Sequence, residues 1–168
     1  MWREFSFQQM FKYIQQGRRL KKEDQISGDI PFVMAGTTNT GVANYVSNPV
    51  AQFPKNAITM DIFGNAFYRS YAFGAGDDTG VYWNPPENEY SREIMLFLTT
   101  AMSKSVFKKF SYGKKLRSSQ SLKIKMKLLA TPDGQPDFDT MQTLISAVQK
   151  QVIKDVVKYT EQKMAESH

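Results

Sequence analysis

Beyond the break Thr131-Pro132-Asp133-Gly134-Gln135-Pro136, the chain carries Phe138, Met141, Ile145, Val148 and Val152 at alternating spacings of three and four, in a stretch without Gly or Pro. Residues so spaced share one side of an α-helix but would scatter over both faces of a strand, so the C-terminal part reads as a long amphipathic helix. Asp137 and Asp139 stand at its first turn, where carboxylates favour the positive end of the helix dipole. At about 28 residues it would measure roughly 40 Å by helical rise, more than a small domain needs to cover its own core. Either the helix folds back over the domain or its excess length meets a partner. The stripe Met141, Ile145, Val148, Val152 and Val156, with Leu144 and Ile153 on its flank, is the face expected to bury against a second helix as a coiled coil.

The residues before the break have another texture. Phe7, Met10, Phe11 and Ile14 stand at helix-like spacing, and Gly17 ends the run, which predicts a short helix or irregular turn between Phe5 and Gln16. Ile30-Pro31-Phe32-Val33-Met34 predicts a buried strand, Gly36 to Gly41 the polar loop after it, and Val42 to Val46 a further extended piece. Between Ala57 and Tyr82, short apolar strands alternate with glycine turns. There Phe63-Gly64-Asn65-Ala66-Phe67 predicts a hairpin, because Gly and Asn tolerate the positive φ of a tight two-residue turn. Glu89 to Ser105 is a second helical candidate, with Ile94, Leu96, Phe97, Leu98 and Met102 on its apolar side. The expected fold is mixed α+β: a β-rich globular domain over residues 1–132, then the long helix over 133–168. With 168 residues, 41% of them hydrophobic, the chain can build one real core plus an appendage.

Charge is localised. From Lys104 to Lys127 there are nine Lys or Arg residues and no Asp or Glu, whereas the whole chain has a formal net charge of +6, so the remainder is slightly acidic. A phosphate-facing surface needs such clustering, since displaced counterions drive association with a nucleic acid. A solvated strand face explains part of the run, because Lys123, Lys125 and Lys127 alternate with Leu122, Ile124, Met126 and Leu128. The tip, Lys108 to Arg117, is richer, joining cations to Phe110, Ser111, Tyr112 and Gly113, a mixture suited to phosphates and base edges together.

The candidate nucleic-acid-binding residues follow from this chemistry, each beside an ordinary alternative. Ser111, Tyr112, Lys114, Lys115 and Arg117 form the tip set. Arg18, Arg19, Lys21 and Lys22 are candidates for phosphate contact or for plain solvated surface. Thr37, Thr38 and Asn39 could read bases, Asn by pairing with adenine and Thr through hydroxyl and methyl, or could simply make a turn. Asn65, Tyr68 and Arg69 follow the hairpin, where Arg could read guanine or close a strand-end salt bridge.

Catalysis finds little support in the residue inventory. There is no Cys, so no disulfide framework and no thiolate zinc site, and the single His, His168, leaves no conventional His-based catalytic pair. Asn84-Pro85-Pro86-Glu87 approximates the loop of amino-methyltransferases, but Glu87 stands where a ring would stack on a flipped base. Phe73-Gly74-Ala75-Gly76 resembles a cofactor loop without the surrounding βαβ unit. Asp137 and Glu161 are separated by roughly 35 Å of helix and cannot share a metal within one chain. Asp77-Asp78, between Gly76 and Gly80, is more ordinarily a turn cap than a metal site. No metal or cofactor is therefore expected. With no apolar run long enough to span a bilayer and no signal-peptide core in Met1 to Phe5, a cytoplasmic location and no membrane partner are expected.

Taken in order, these segments resemble the DNA-specificity subunit of type I restriction-modification systems, namely one target recognition domain with its adjoining conserved helix. The resemblance runs from Trp2-Arg3-Glu4-Phe5, Met10-Phe11 and Gly17-Arg18-Arg19-Leu20 through Ile30-Pro31-Phe32 and Gly36 to Val42. It continues in Ala57-Ile58-Thr59, Gly64 to Tyr68, Lys109 to Gly113, and Pro132 to Phe138. The resemblance implies a non-catalytic module that selects a double-stranded DNA site by its major groove. It also implies a helix that packs on its counterpart and docks methyltransferase subunits, through which a restriction subunit would be engaged. Complete specificity subunits of this family resemble two such domains with two helices, so a fragment, or a half-size subunit dimerising through the helix, are both open. An RNA-binding domain, or a helix-mediated structural protein with an incidental basic face, are the competing readings.

Overall fold

The computed structural model describes residues 1–167, and His168 lies outside them. The chain opens with strand β1 (Trp2–Ser6), a single helical turn α1 (Phe7–Met10) and strand β2 (Tyr13–Gln16). The short helix or turn expected between Phe5 and Gln16 is the single turn α1, with strands on either side of it. Phe7, Met10 and Phe11 are buried by one turn, which the Ser6–Gln9 capping box starts, and Ile14 then pairs with Tyr82 in an antiparallel ladder. Gly17 does more than end a run. A Cβ there would lie 2.2 Å from the Gly76 carbonyl oxygen, so only Gly lets the two backbones meet.

Strands β3 (Ser27–Val33) and β4 (Val42–Val46) flank the predicted polar loop and pair antiparallel. With β5 (Gln52–Phe53) and β8 (Phe73–Ala75) they form a four-stranded sheet in the order β4-β3-β8-β5, in which β3 and β8 run parallel. A second sheet, β2-β9-β6-β7, contains β6 (Ala57–Asp61), β7 (Ala66–Arg69) and β9 (Thr79–Trp83). The predicted hairpin is β6–β7, though its connection is longer than two residues, with Gly64 rather than Asn65 taking the positive φ (+88°).

Helix α2 (Arg92–Ser105), capped by Ser91, buries Ile94, Met95, Phe97, Leu98, Ala101 and Met102. Strand β10 (Lys125–Leu129) shows the expected alternation, with Met126 and Leu128 inside and Lys125 and Lys127 outside, and it pairs with β1. One core joins α1, α2, β10 and the inner faces of β6 and β9; a smaller one centres on Val33, Phe53, Phe73 and Val81. Tyr82 lies wholly inside the larger core, its hydroxyl 2.7 Å from that of Ser121, and burial pushes its pKa up to about 12.

The long helix is α3 (Phe138–Glu166), 29 residues. Asp137 caps it, accepting hydrogen bonds from the Thr140 amide (3.0 Å) and hydroxyl (2.8 Å), which hold its carboxyl below the usual range. Its first turns belong to the body: Met141 is 0% exposed, and Phe138 and Ile145 pack on the main core. Met141 therefore cannot serve the second-helix interface for which its spacing nominated it, because the domain's own core already surrounds it. From Val148 onward the apolar side is exposed, with Val148, Val152, Ile153 and Val156 each more than half accessible and Leu144 nearly so. No helix among the described residues is long and apolar enough to cross a membrane.

Candidate nucleic-acid interface

Three loops are tied together by acidic residues at strand ends. Asp61 closes β6 and is only 4% exposed. The Phe63 and Asn65 backbone amides donate to its Oδ1 (2.9 and 3.0 Å), while the Gly36 amide and the Asn65 side-chain amide donate to Oδ2 (both 2.9 Å). Four N–H groups thus solvate a buried carboxylate, each bond strengthened by its charge. Asp78, before β9, accepts from the Ala35 amide (3.0 Å) and the Thr79 hydroxyl (3.1 Å). Two consecutive amides at the root of the Thr37 loop are consequently held by carboxylates from different strand ends. Beyond them Thr37, Thr38 and Asn39 are exposed, and Asn39 (φ 50°) and Thr40 (φ 53°) take left-handed conformations.

The basic segments meet at Asp77. Arg19 Nε donates to its carboxylate at 3.0 Å, and Arg117 Nη1 (2.7 Å) and Gln16 Nε2 (2.9 Å) both donate to its carbonyl. With side chains 70% and 42% exposed, the Arg19–Asp77 pair adds little stability. Its effect is to fix where Arg19 stands. Gln16 in turn accepts from the Ser118 amide (2.9 Å), bracing the segment that follows Arg117.

The tip beyond α2 turns back through a bridge between Ser111 and Lys114, with Gly113 between them. Leu116 is buried and its amide donates to the Ile62 carbonyl at 2.8 Å, which anchors the tip beside the β6–β7 turn. Tyr112 is 78% exposed; its ring stacks on Phe63 and lies 4.7 Å from Lys115 Nζ, a cation–π geometry. Lys114 Nζ similarly stands 5.9 Å from the Phe110 ring.

Among the nominated residues, Arg19 and Arg117 meet at Asp77, and the Asn65 turn meets the Thr37 loop at Asp61. Tyr112 and Lys115 join that turn through Phe63. Arg18, Lys21, Lys22, Ser111 and Lys114 are exposed. Asn65 is half-buried with its amide committed to Asp61, and the Tyr68 hydroxyl donates to Asn56 Oδ1 at 2.9 Å. Burial, the largest influence, holds the Tyr68 phenol above its ordinary range. Arg69 requires a correction. It is 1% exposed and neither reads a base nor closes a salt bridge; its guanidinium is spent on Thr59, Tyr71 and Thr40. The sequence pattern also missed Asp61, Phe63 and Gln16. An Asp just before a Gly-Asn turn is a known turn initiator and could have flagged Asp61, whereas nothing local marks Gln16.

The lookalike motifs have structural employment. Asn84 accepts from the Lys12 amide (2.7 Å) and donates to the Met10 carbonyl (3.1 Å), pinning α1 to the end of β9. The basic run also divides: Lys104, Lys125 and Lys127 line a groove of about 800 Å³ with Trp2, Phe97 and Ile145, beside the root of α3.

In comparison with known proteins, the family model described as the type I restriction modification DNA specificity domain matches residues 1–159. The specificity subunit S.BcgI of the type II restriction enzyme BgcI, from Heyndrickxia coagulans, is 28% identical over 158 residues, covering 90% of this chain and 45% of that protein. The chain therefore spans less than half the length of that relative. Its fold is similar to the S subunit of a type I restriction-modification system from M. genitalium (TM-score 0.60, 18% identity, 95% of this chain and 42% of that one). A structure solved for complex assembly and conformational transition of the type I system gives a TM-score of 0.65 at 12% identity, covering 95% of this chain and 41% of that one. The HsdS subunit from Thermoanaerobacter tengcongensis gives 0.57 at 10%, covering 91% and 38%. The chain belongs to the family of type I restriction modification DNA specificity domains.

Proposed function

We propose that this domain recognises a specific double-stranded DNA sequence within a restriction-modification complex and has no catalytic activity of its own. The observation that carries the reading is the convergence of the Thr37 loop, the Asn65 turn and the basic tip, tied through Asp61, Asp77 and the Phe63–Tyr112 stack. Lys114, Lys115, Arg19 and Arg117 supply affinity for phosphates, with Arg18, Lys21 and Lys22 beside them, while Thr37, Thr38 and Asn39 reach base edges. The body acts as the recognition unit and α3 as the assembly unit. Its exposed stripe of Leu144, Val148, Val152, Ile153 and Val156 pairs with a second helix, from a second copy or from a second domain of a longer chain. Methyltransferase subunits dock on that helical part and bring the restriction subunit with them, in the cytoplasm. Binding of a DNA duplex and an RNA duplex of the same sequence in matched salt tests the reading. Preference for DNA by tenfold or more is expected; equal or tighter binding of the A-form RNA duplex would contradict it.

A further inference from the structure

Arg69, the one basic residue of the β6–β7 hairpin, is 1% exposed, and all four of its hydrogen bonds go to neutral oxygens. Its Nε donates to the Thr59 hydroxyl (3.0 Å) and Nη1 to the Tyr71 hydroxyl (2.9 Å), while its plane lies over the Phe67 ring at 5.2 Å. These contacts leave the fork pointing at one residue. Nη2 donates to the Thr40 carbonyl at 2.6 Å and Nη1 to the Thr40 hydroxyl at 3.3 Å.

Thr40 is an unusual residue to find so held. It is β-branched yet sits at φ 53°, ψ 27°, directly after Asn39 at φ 50°, ψ 37°. Asn visits that left-handed region with ease, whereas Thr does so only when its surroundings over-determine it. The root of the same loop is fixed at Ala35 and Gly36 by Asp78 and Asp61. At the distal end the Met34 amide donates to the Gly41 carbonyl (2.9 Å) and the Thr40 amide to the Thr37 carbonyl (3.2 Å), and the buried guanidinium adds a charged restraint on Thr40 itself.

We infer that Arg69 is a positioning residue for sequence reading: it holds Thr40 left-handed and so presents Thr37, Thr38 and Asn39 in one fixed arrangement without touching DNA itself. This rests on the DNA-recognition reading proposed above. Free, the loop would sample several shapes and meet bases in none of them consistently, whereas phosphate contacts made by the basic tip would be unaffected. Arg69 thus sets discrimination between sequences and leaves general affinity alone.

The test compares binding to a selected target duplex and to a scrambled duplex of equal length in matched salt, together with thermal stability. For Arg69→Lys, which keeps charge but loses the fork, the target-to-scrambled ratio should fall at least tenfold while scrambled-duplex affinity and its salt slope stay within twofold. Adding Thr40→Asn should restore most of the ratio, because Asn adopts the left-handed conformation unaided. Should Arg69→Lys fail to fold, Thr40→Asn and Thr40→Pro in the unaltered background serve instead: the first should keep the ratio within threefold, and the second, barred from positive φ, should lose it. Full discrimination by Arg69→Lys or by Thr40→Pro, or no rescue by Thr40→Asn, would overturn the inference. Failure of the unaltered chain to discriminate at all would instead remove the recognition reading on which it rests.

Discussion

The Tyr112 ring stacks on the Phe63 ring with centroids 6.1 Å apart and planes 29° from parallel. Two segments nearly fifty residues apart in sequence thereby become one surface, and the exposed tip cations stand beside the turn that Asp61 ties to the Thr37 loop.

Reversing charge at that tip should weaken binding without changing preference. Lys114→Glu with Lys115→Glu should reduce affinity for every duplex alike and flatten the log–log salt slope by about 2, at roughly 0.9 per lost phosphate contact. Fluorescence anisotropy across a salt series measures both. An unchanged slope would place these lysines off the DNA.

The helix should separate assembly from stability at two positions. Val152 is 56% exposed, so Val152→Asp should lower the mass seen by sedimentation while leaving unfolding of the body nearly unchanged. Met141 is fully buried, so Met141→Ala should cost about 2–5 kcal/mol in denaturant unfolding, through lost burial plus the cavity left behind. Equal effects on stability from the two would contradict the division of α3 into an anchored root and a free rod.

Alkaline unfolding should carry the signature of Tyr82. In the unfolded chain its phenol ionises near pH 10, whereas burial raises the folded value to about 12. The folded state keeps the proton that the unfolded state has lost, so stability is whole below pH 10 and declines as pH rises from 10 to about 12. The loss should approach about 3 kcal/mol, and Tyr82→Phe should reduce that part of the slope. Unfolding midpoints between pH 8 and 12 for both chains check it.

How much of this was legible beforehand depended on whether the signal was local. The period of Phe138 to Val152 and the alternation of Lys125 to Leu128 come from elements with one wet side, and α3 and β10 carry those patterns, although Leu122 and Lys123 lie in a turn before β10 begins. Phe7, Met10 and Phe11 are buried by the one short turn their spacing suggests, but Ile14 continues that spacing without the helix, because the ladder with β9 takes over by Tyr13. The surface loops could be nominated by residue type. Their fastening could not, since Asp61 meets Gly36, and Arg69 meets Thr40, only after sheets from distant parts of the chain have packed. For the same reason Arg69 looked like a reader of guanine, although its burial depends on neighbours 10 and 29 residues away.

Selection from a pool of random-sequence duplex DNA, run in parallel on the unaltered chain and on Asn39→Ala, tests the central claim most directly. The account predicts that the unaltered chain enriches a defined motif and that Asn39→Ala enriches one altered at a limited set of positions, where losing a base contact costs about 1–3 kcal/mol. Pools that remain unenriched, or an identical motif from both proteins, would contradict a Thr37 loop that reads DNA.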